Sequence, residues 1–518
     1  MHTYTTRLLT CTIVLCSLFF LNQDAFAQKA IPPLSDIVSV IAGDTTSAGV
    51  RNNTDYTLQR GGVYFALGQI QSQFDLTITA TGDESLADPQ IIVLTDESGN
   101  YSAPFKPYKN LTLEGIYMSG INSAGVQIAN LIQTGTTGVK LTLVDCRIDS
   151  VQSRALLVDQ NDCSVIVKDC YVSNIAGGGH SGRFIDARET ILDTVIIQNS
   201  TFYNIMHTLI NRFSAGQKYF KFDHNTVYQI MRTPLRIDVC PDIIMTNNLF
   251  LQTGFVGYLQ TWEDAFQSGD MGDRDEWARI EIWPLDSSNA FPGATQKIDA
   301  KYNNFWLDPA IVDAYPDSIY PYRTLDFDFE KAMIGADTLT WVSENVGFVK
   351  APSCQYLAMA QECWADGSPQ TNPGFDGSGA PFDFSYPETA SSYTAGANGY
   401  PLGDLNWFPT VKAAWEKDIT AVSDDFKAVP SKFSIQQNYP NPFNPSTVIR
   451  YSVPSTSDVV VKVYNVLGKE VATLVNAKQQ AAGEYTVRFD AKNLASGVYF
   501  YTMTAGNYNM TKKMIFMK

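Results

Sequence analysis

Six arginines, Arg154, Arg183, Arg188, Arg212, Arg232 and Arg236, fall in one stretch of a chain that is otherwise strongly acidic. A guanidinium is planar and presents several N–H donors in a fixed fork, which suits it to grip a carboxylate or another oxyanion. The three histidines outside the first segment, His180, His207 and His224, lie in the same stretch. His180 sits in the glycine-rich run GGGHSGR, where backbone can approach a ligand and an imidazole could accept a proton. His224, next to Asn225, reads as a solvated turn residue.

A second set lies between Phe255 and Lys297: Trp262, Trp277 and Trp283, with the acidic run Asp270, Asp273, Asp275 and Glu276. Indole faces suit stacking on sugars, and clustered carboxylates could hold calcium. The spacing lacks the glycine and distal glutamate of an EF-hand, so a small tryptophan core beside a solvated acidic loop is the competing reading. No other metal set stands out: Cys146, Cys163, Cys170, Cys240, Cys354 and Cys363 include no CxxC pair. Cys354 and Cys363 could close a short disulfide loop, and the other four read equally well as buried thiols. No Gly-x-Ser-x-Gly, P-loop, Rossmann fingerprint or HExxH occurs, so serine hydrolase, nucleotide and zincin chemistries have no support.

The elements that must position these residues repeat. LTLVDCRIDSV at Leu141 is followed by VIVKDCYVSNI at Val165, VIIQNSTFYNI at Val195, FKFDHNTVYQI at Phe220 and IIMTNNLFLQT at Ile243. KIDAKYNNFWL at Lys297 is a degraded copy, and Leu76 and Leu111 begin earlier ones. Each copy is an alternating apolar strand, two polar or small residues, then a second apolar strand. Short strands at a near-constant step, with no amphipathic helix between them, predict a parallel β-solenoid of about eight coils, since one coil cannot bury its apolar face alone. Stacking aligns Cys146, Cys170, Ser200, Asn225, Asn248 and Asn304 in one column, with asparagine suited to the left-handed backbone of a tight turn. A further strand lies between repeats, in ALLVD, FIDAR, LINR and LRIDV. Its phase predicts outward columns Asp159, Arg188, Arg212, Asp238 and Leu157, Asp186, Ile210, Arg236. In that arrangement the arginines could instead be cross-coil salt bridges, worth about 0–1 kcal/mol each.

The Asn column resembles the asparagine ladder of right-handed parallel β-helices of the pectate-lyase type. The stretch from Val63 to Trp415 is similar to secreted β-helix proteins of Bacteroidetes-type bacteria. The lyase resemblance implies a division of labour: a cation or Arg neutralises a uronate carboxylate, and a basic side chain then removes the adjacent proton, releasing the glycosidic oxygen by β-elimination. The catalytic candidates are then Arg188, Arg212, Arg236 and His180. Arg183, Asp186, Trp262 and Trp277 are the substrate contacts, with calcium the one cofactor the acidic run could supply. The alternative is a non-catalytic glycan-binding or adhesive solenoid.

Around this core the chain divides further. Residues 1–27 carry Arg7, an apolar run from Leu8 to Leu21 and Ala25-Phe26-Ala27, the features of a removable secretory leader. The solenoid is expected over 28–307, and a Pro-, Tyr- and Asp-rich extension over 308–428 should lie against it, because its aromatics would otherwise be exposed. After a linker around Val429-Pro430-Ser431, residues 433–518 alternate as in an antiparallel, Ig-like β-sandwich, with turns at Asn465 to Gly468 and Ala505 to Asn507. FSIQQNYPNPFNPSTVIRYSVP at Phe433 and the sequence after it resemble a type A type IX secretion sorting domain, which implies the secretion machinery as partner and a secreted or surface location reached through the periplasm. That tail has nine Lys/Arg against four Asp/Glu; since the chain totals −16, the body carries about −21. Such a body repels nucleic acid and anionic lipid.

Overall fold

In a computed structural model of the chain, the described residues are 28–259 (without 178–180, 188 and 212–215), 278–283, 294–316, 341–352, 382–422 and most of 433–517, with isolated positions between. The protein is all-β, and its body is a parallel β-solenoid of about 8 turns. Three sheets run along it. The first has ten strands, from Lys29–Ile31 to Lys297–Asp299; the second also has ten, from Val63–Leu67 to Trp341–Val342; the third has seven, from Asn130–Gln133 to Arg323–Leu325. Inward Ile, Leu, Val and Phe side chains of successive coils stack into one continuous core. Phe250 and Phe305, on neighbouring coils, lie face to face with centroids 4.5 Å apart. At the start, the helix Ile37–Ala42 is capped by Asp36 and packs Ile37 and Ile41 into that core.

The first-sheet register follows the sequence repeat: Leu76, Leu111, Leu141, Val165, Val195, Phe220 and Ile243 are consecutive partners. The last copy begins at Ile298, which pairs with Ile243, one residue later than Lys297. The turn column is therefore completed by Asn303, not Asn304. Its hydrogen bonds run from coil to coil: the backbone N–H of Cys170 donates to Ser200 Oγ (3.1 Å), that of Ser200 to Asn225 Oδ1 (3.1 Å), that of Asn225 to Asn248 Oδ1 (2.9 Å) and that of Asn248 to Asn303 Oδ1 (3.1 Å). Each Asn Nδ2 also donates to a carbonyl one coil back, as Asn225 does to Ile197 O at 3.0 Å. The left-handed residue is the one before each ladder position, Asp145, Asp169, Asn199, His224, Asn247 and Tyr302. Asparagine thus serves the ladder through its amide and not through its backbone freedom. Cys146, Cys163, Cys170 and Cys240 are buried free thiols. Cys354 and Cys363 lie outside the described residues.

The ladder ends in a cap. Asn304 Nδ2 donates to Glu344 O and Ser392 Oγ, both at 2.9 Å, and Asn304 Oδ1 accepts from Glu344 N. Residues 382–422 lie on the outside of the second sheet, where Phe384 packs against Tyr203 and Tyr228, and Trp407 against Tyr171. The linker at 429–431 is outside the described residues.

Residues from 433 onward form a three-stranded and a four-stranded antiparallel sheet. Val459, Val461 and Val463 are fully buried between them with Tyr501, Met514 and Phe516. Asn465 makes its turn by accepting from the N–H groups of Leu467 and Lys469.

Candidate functional site

The third sheet carries the arginines. Arg154 and Arg183 are register partners on adjacent coils, and Leu157 pairs with Asp186. Asp186 in turn pairs with Asn211, while Ile210 pairs with Leu235. The sequence-derived column Leu157, Asp186, Ile210, Arg236 is therefore wrong at its third member, where Asn211 stands level with Arg236. Turns of unequal length separate the sheets, so that Arg154 to Arg183 spans one residue fewer than Val165 to Val195 and Ile210 to Leu235 two more than Phe220 to Ile243, and the local polar alternation does not decide the phase. Of the outward column Asp159, Arg188, Arg212 and Asp238, the two arginines and the Asp238 side chain lie outside the described residues. Asp159 accepts from Gln133 Nε2 and Thr134 Oγ1, both at 3.2 Å.

Pairing occurs one row away. Arg183 Nη1 donates to Asp186 Oδ2 at 3.0 Å, Arg154 Nε stands 3.6 Å from the same oxygen, and Asn211 Nδ2 donates to Asp186 Oδ1 at 3.0 Å. The Asp186 and Arg183 side chains are buried, whereas that of Arg154 is 30% exposed. A carboxylate withdrawn from water needs this density of donors, because burial without them would cost several kcal/mol. Of the two guanidinium groups, Arg154 is the one that reaches solvent. Arg232 and Arg236 are buried nearby in sequence and are themselves engaged. Arg183 and Asp186 are thus brought together. Arg236 follows Leu235, the partner of Ile210, and is next to Glu281 in register. His180, Arg188, Arg212, Trp262 and Trp277, like the acidic run, lie outside the described residues, as does the side chain of Trp283.

A second polar cluster was not legible in the sequence. His224 is buried, not solvated: its Nδ1 lies 3.1 Å from Asp223 Oδ1 and its ring centroid 5.0 Å from that of Trp415. The extension covers this turn, from a point in the chain that local pattern cannot reveal. Asp223 also accepts from Gln198, Thr246 and Asn247. Burial alone would raise its pKa, but His224, Lys221 and Asn247 hold it far below the usual carboxylate range. Beside it, Asp404 of the extension accepts from Thr201 Oγ1 at 2.7 Å and from the N–H of Asn406 at 2.9 Å, while Lys412 Nζ reaches Asp169 at 2.7 Å. These bonds fasten the extension to the solenoid. Among the described residues no group of His, Cys, Asp and Glu has the geometry of a metal site.

In the tail, Tyr501 hydroxyl donates to Gln436 O and accepts from the N–H of Asn438, so the NYPNPFNP segment is tied to the sandwich core. Residues 437–517 match the family described as the secretion system C-terminal sorting domain. The tail is a type IX sorting domain. A chain carrying this sorting domain is exported, to the cell surface or the medium, and engages the secretion machinery. Among the described residues, no helix is long and apolar enough to cross a membrane. No curated protein and no solved structure matches the chain.

Proposed function

We propose that the exported body is a polysaccharide-active protein, most concretely a lyase that opens an acidic glycan by β-elimination. The observation that carries this reading is the pair of stacked arginines, Arg154 and Arg183, sharing one carboxylate in a body of strongly negative charge. The field of such a body repels anions, and Arg154 is a solvent-reaching cation that offsets this repulsion locally for a carboxylate. Arg154 would meet the uronate carboxylate and lower the cost of forming negative charge at the adjacent carbon. A base, for which His180, Arg188, Arg212 and Arg236 are candidates, would take the C5 proton. The electron pair then forms the C4–C5 double bond as the C4–O bond breaks, and the leaving oxygen takes up a proton. In this reading residues 1–27 are a leader, the solenoid and its extension are the working body, and the sorting domain is its export ticket.

A second reading, a glycan-binding solenoid without turnover, is favoured by the burial of Asp186 between Arg183 and Asn211, which commits Arg183 to a structural bond. The exported chain, incubated with a panel of uronate polysaccharides with and without calcium, separates the two. Rising ultraviolet absorbance of an unsaturated uronide, lost in Arg154→Ala at unchanged melting temperature, is the expected result. A flat trace with retardation in affinity gels leaves only the binding reading. No turnover and no retardation overturns both.

A further inference from the structure

The turn that leads from the third sheet into the first forms a groove of about 550 Å³ near the N-terminal end of the solenoid. Its walls come from successive coils, with Gln73, Phe74 and Asp75 on one, Tyr108 to Asn110 on the next and Thr136 to Gly138 on the third, so the groove follows the solenoid axis. Two aromatic rings line it. Phe74 packs on the core and carries the Arg51 guanidinium 4.1 Å from its centroid. Tyr108 lies against Gly135 so closely that a Cβ there would come within 2.9 Å of the ring. Glycine at this position therefore sets the attitude of the tyrosine. The polar lining is also held in place: Asn110 N–H donates to Asp75 Oδ1 and Asn110 Oδ1 accepts from Lys140 N–H, both at 3.1 Å, which leaves the Asn110 Nδ2 as a fixed donor.

The volume falls in the range of small-ligand sites, roughly 300–1,000 Å³. Its chemistry narrows the ligand. Lys109 and Asp75 balance in charge within the lining, the Arg51 guanidinium is engaged by Ile41 O and the Phe74 ring, and amides and hydroxyls dominate the remainder. A fixed aromatic ring among amide and hydroxyl groups suits a flat, hydroxyl-rich molecule with an apolar face. The geometry points to a binding site for an uncharged sugar unit, separate from the arginine cluster and independent of whether that cluster turns over an acidic glycan.

The test uses the exported chain and neutral hexasaccharides of glucose, xylose and mannose, with binding followed by saturation-transfer NMR and titration calorimetry. At least one should bind. Thr137→Trp, an exposed substitution that fills the groove without touching the core, should weaken that binding at least tenfold, and Tyr108→Ala should do the same. Arg154→Ala should leave it unchanged. Absence of binding by all three sugars, or binding that survives Thr137→Trp, overturns the site. Loss in Arg154→Ala alone would place the sugar at the arginine cluster and likewise overturn it.

Discussion

Asp404 is withdrawn from water at the seam between the extension and the solenoid, and burial pushes its pKa up to about 8, against the pull of Thr201 and the Asn406 N–H and with the help of Asp169. The unfolded carboxyl titrates near 4. Below that value both states are protonated and the contribution of Asp404 is fully present. Between about 4 and 8 only the unfolded state ionises, so stability falls as the pH rises through this window. Asp223 behaves oppositely: its depressed pKa adds stability above about pH 4 that is lost in acid. Thermal unfolding of Asp404→Asn should lose most of the decline between pH 4 and 8, a span of roughly 2–5 kcal/mol. An unchanged slope would show that Asp404 is solvated. Nothing in PLGDLNWFP announces this carboxylate, because its hydroxyl partner Thr201 is some two hundred positions earlier in the chain. Arg183 and Asp186, three residues apart on one strand, were both singled out from the sequence as substrate contacts, but their bond to each other was not foreseen.

At the scale of the coil, the ladder shows why some registers were legible and others not. The first-sheet strands alternate cleanly between apolar and polar residues, and a one-residue slip would turn every apolar side chain to the wrong face. The third-sheet strands are shorter and mix arginine, aspartate and isoleucine, and turns of varying length part them from the first sheet, so their phase cannot be read from either. The last coil was offset because Asn303 and Asn304 are adjacent and Tyr302, not an Asn, takes the left-handed position. Substituting Asn225→Ala removes the acceptor for the Ser200 N–H and the donor to Ile197 O in one step. Each orphaned buried group costs about 1–3 kcal/mol, so denaturant unfolding should show a loss of roughly 2–5 kcal/mol, whereas a loss below about 1 kcal/mol would mean that water replaces the amide. Asn225→Leu should do no better, since a matching volume restores neither bond.

Over the whole molecule, charge and export go together. A body near −21 is joined to a tail near +5, and both the tail's identity and the solenoid were legible because each rests on a repeating or uninterrupted pattern. Deleting residues 433–518 should leave the body inside the outer membrane, where cell fractionation and immunoblotting would find it; delivery to the surface or medium without the tail would show a second export signal. The cap at Asn304 has a different consequence. A parallel solenoid ends in open strand edges, each a template for another chain to extend. Here Trp341–Val342 pairs with the strand Asn303–Trp306 and the Asn304 side chain is bonded to Glu344 and Ser392, so the chain itself covers that strand's outer edge. That stretch of edge is thereby withheld from a second exported copy, which could otherwise lengthen the sheet from it.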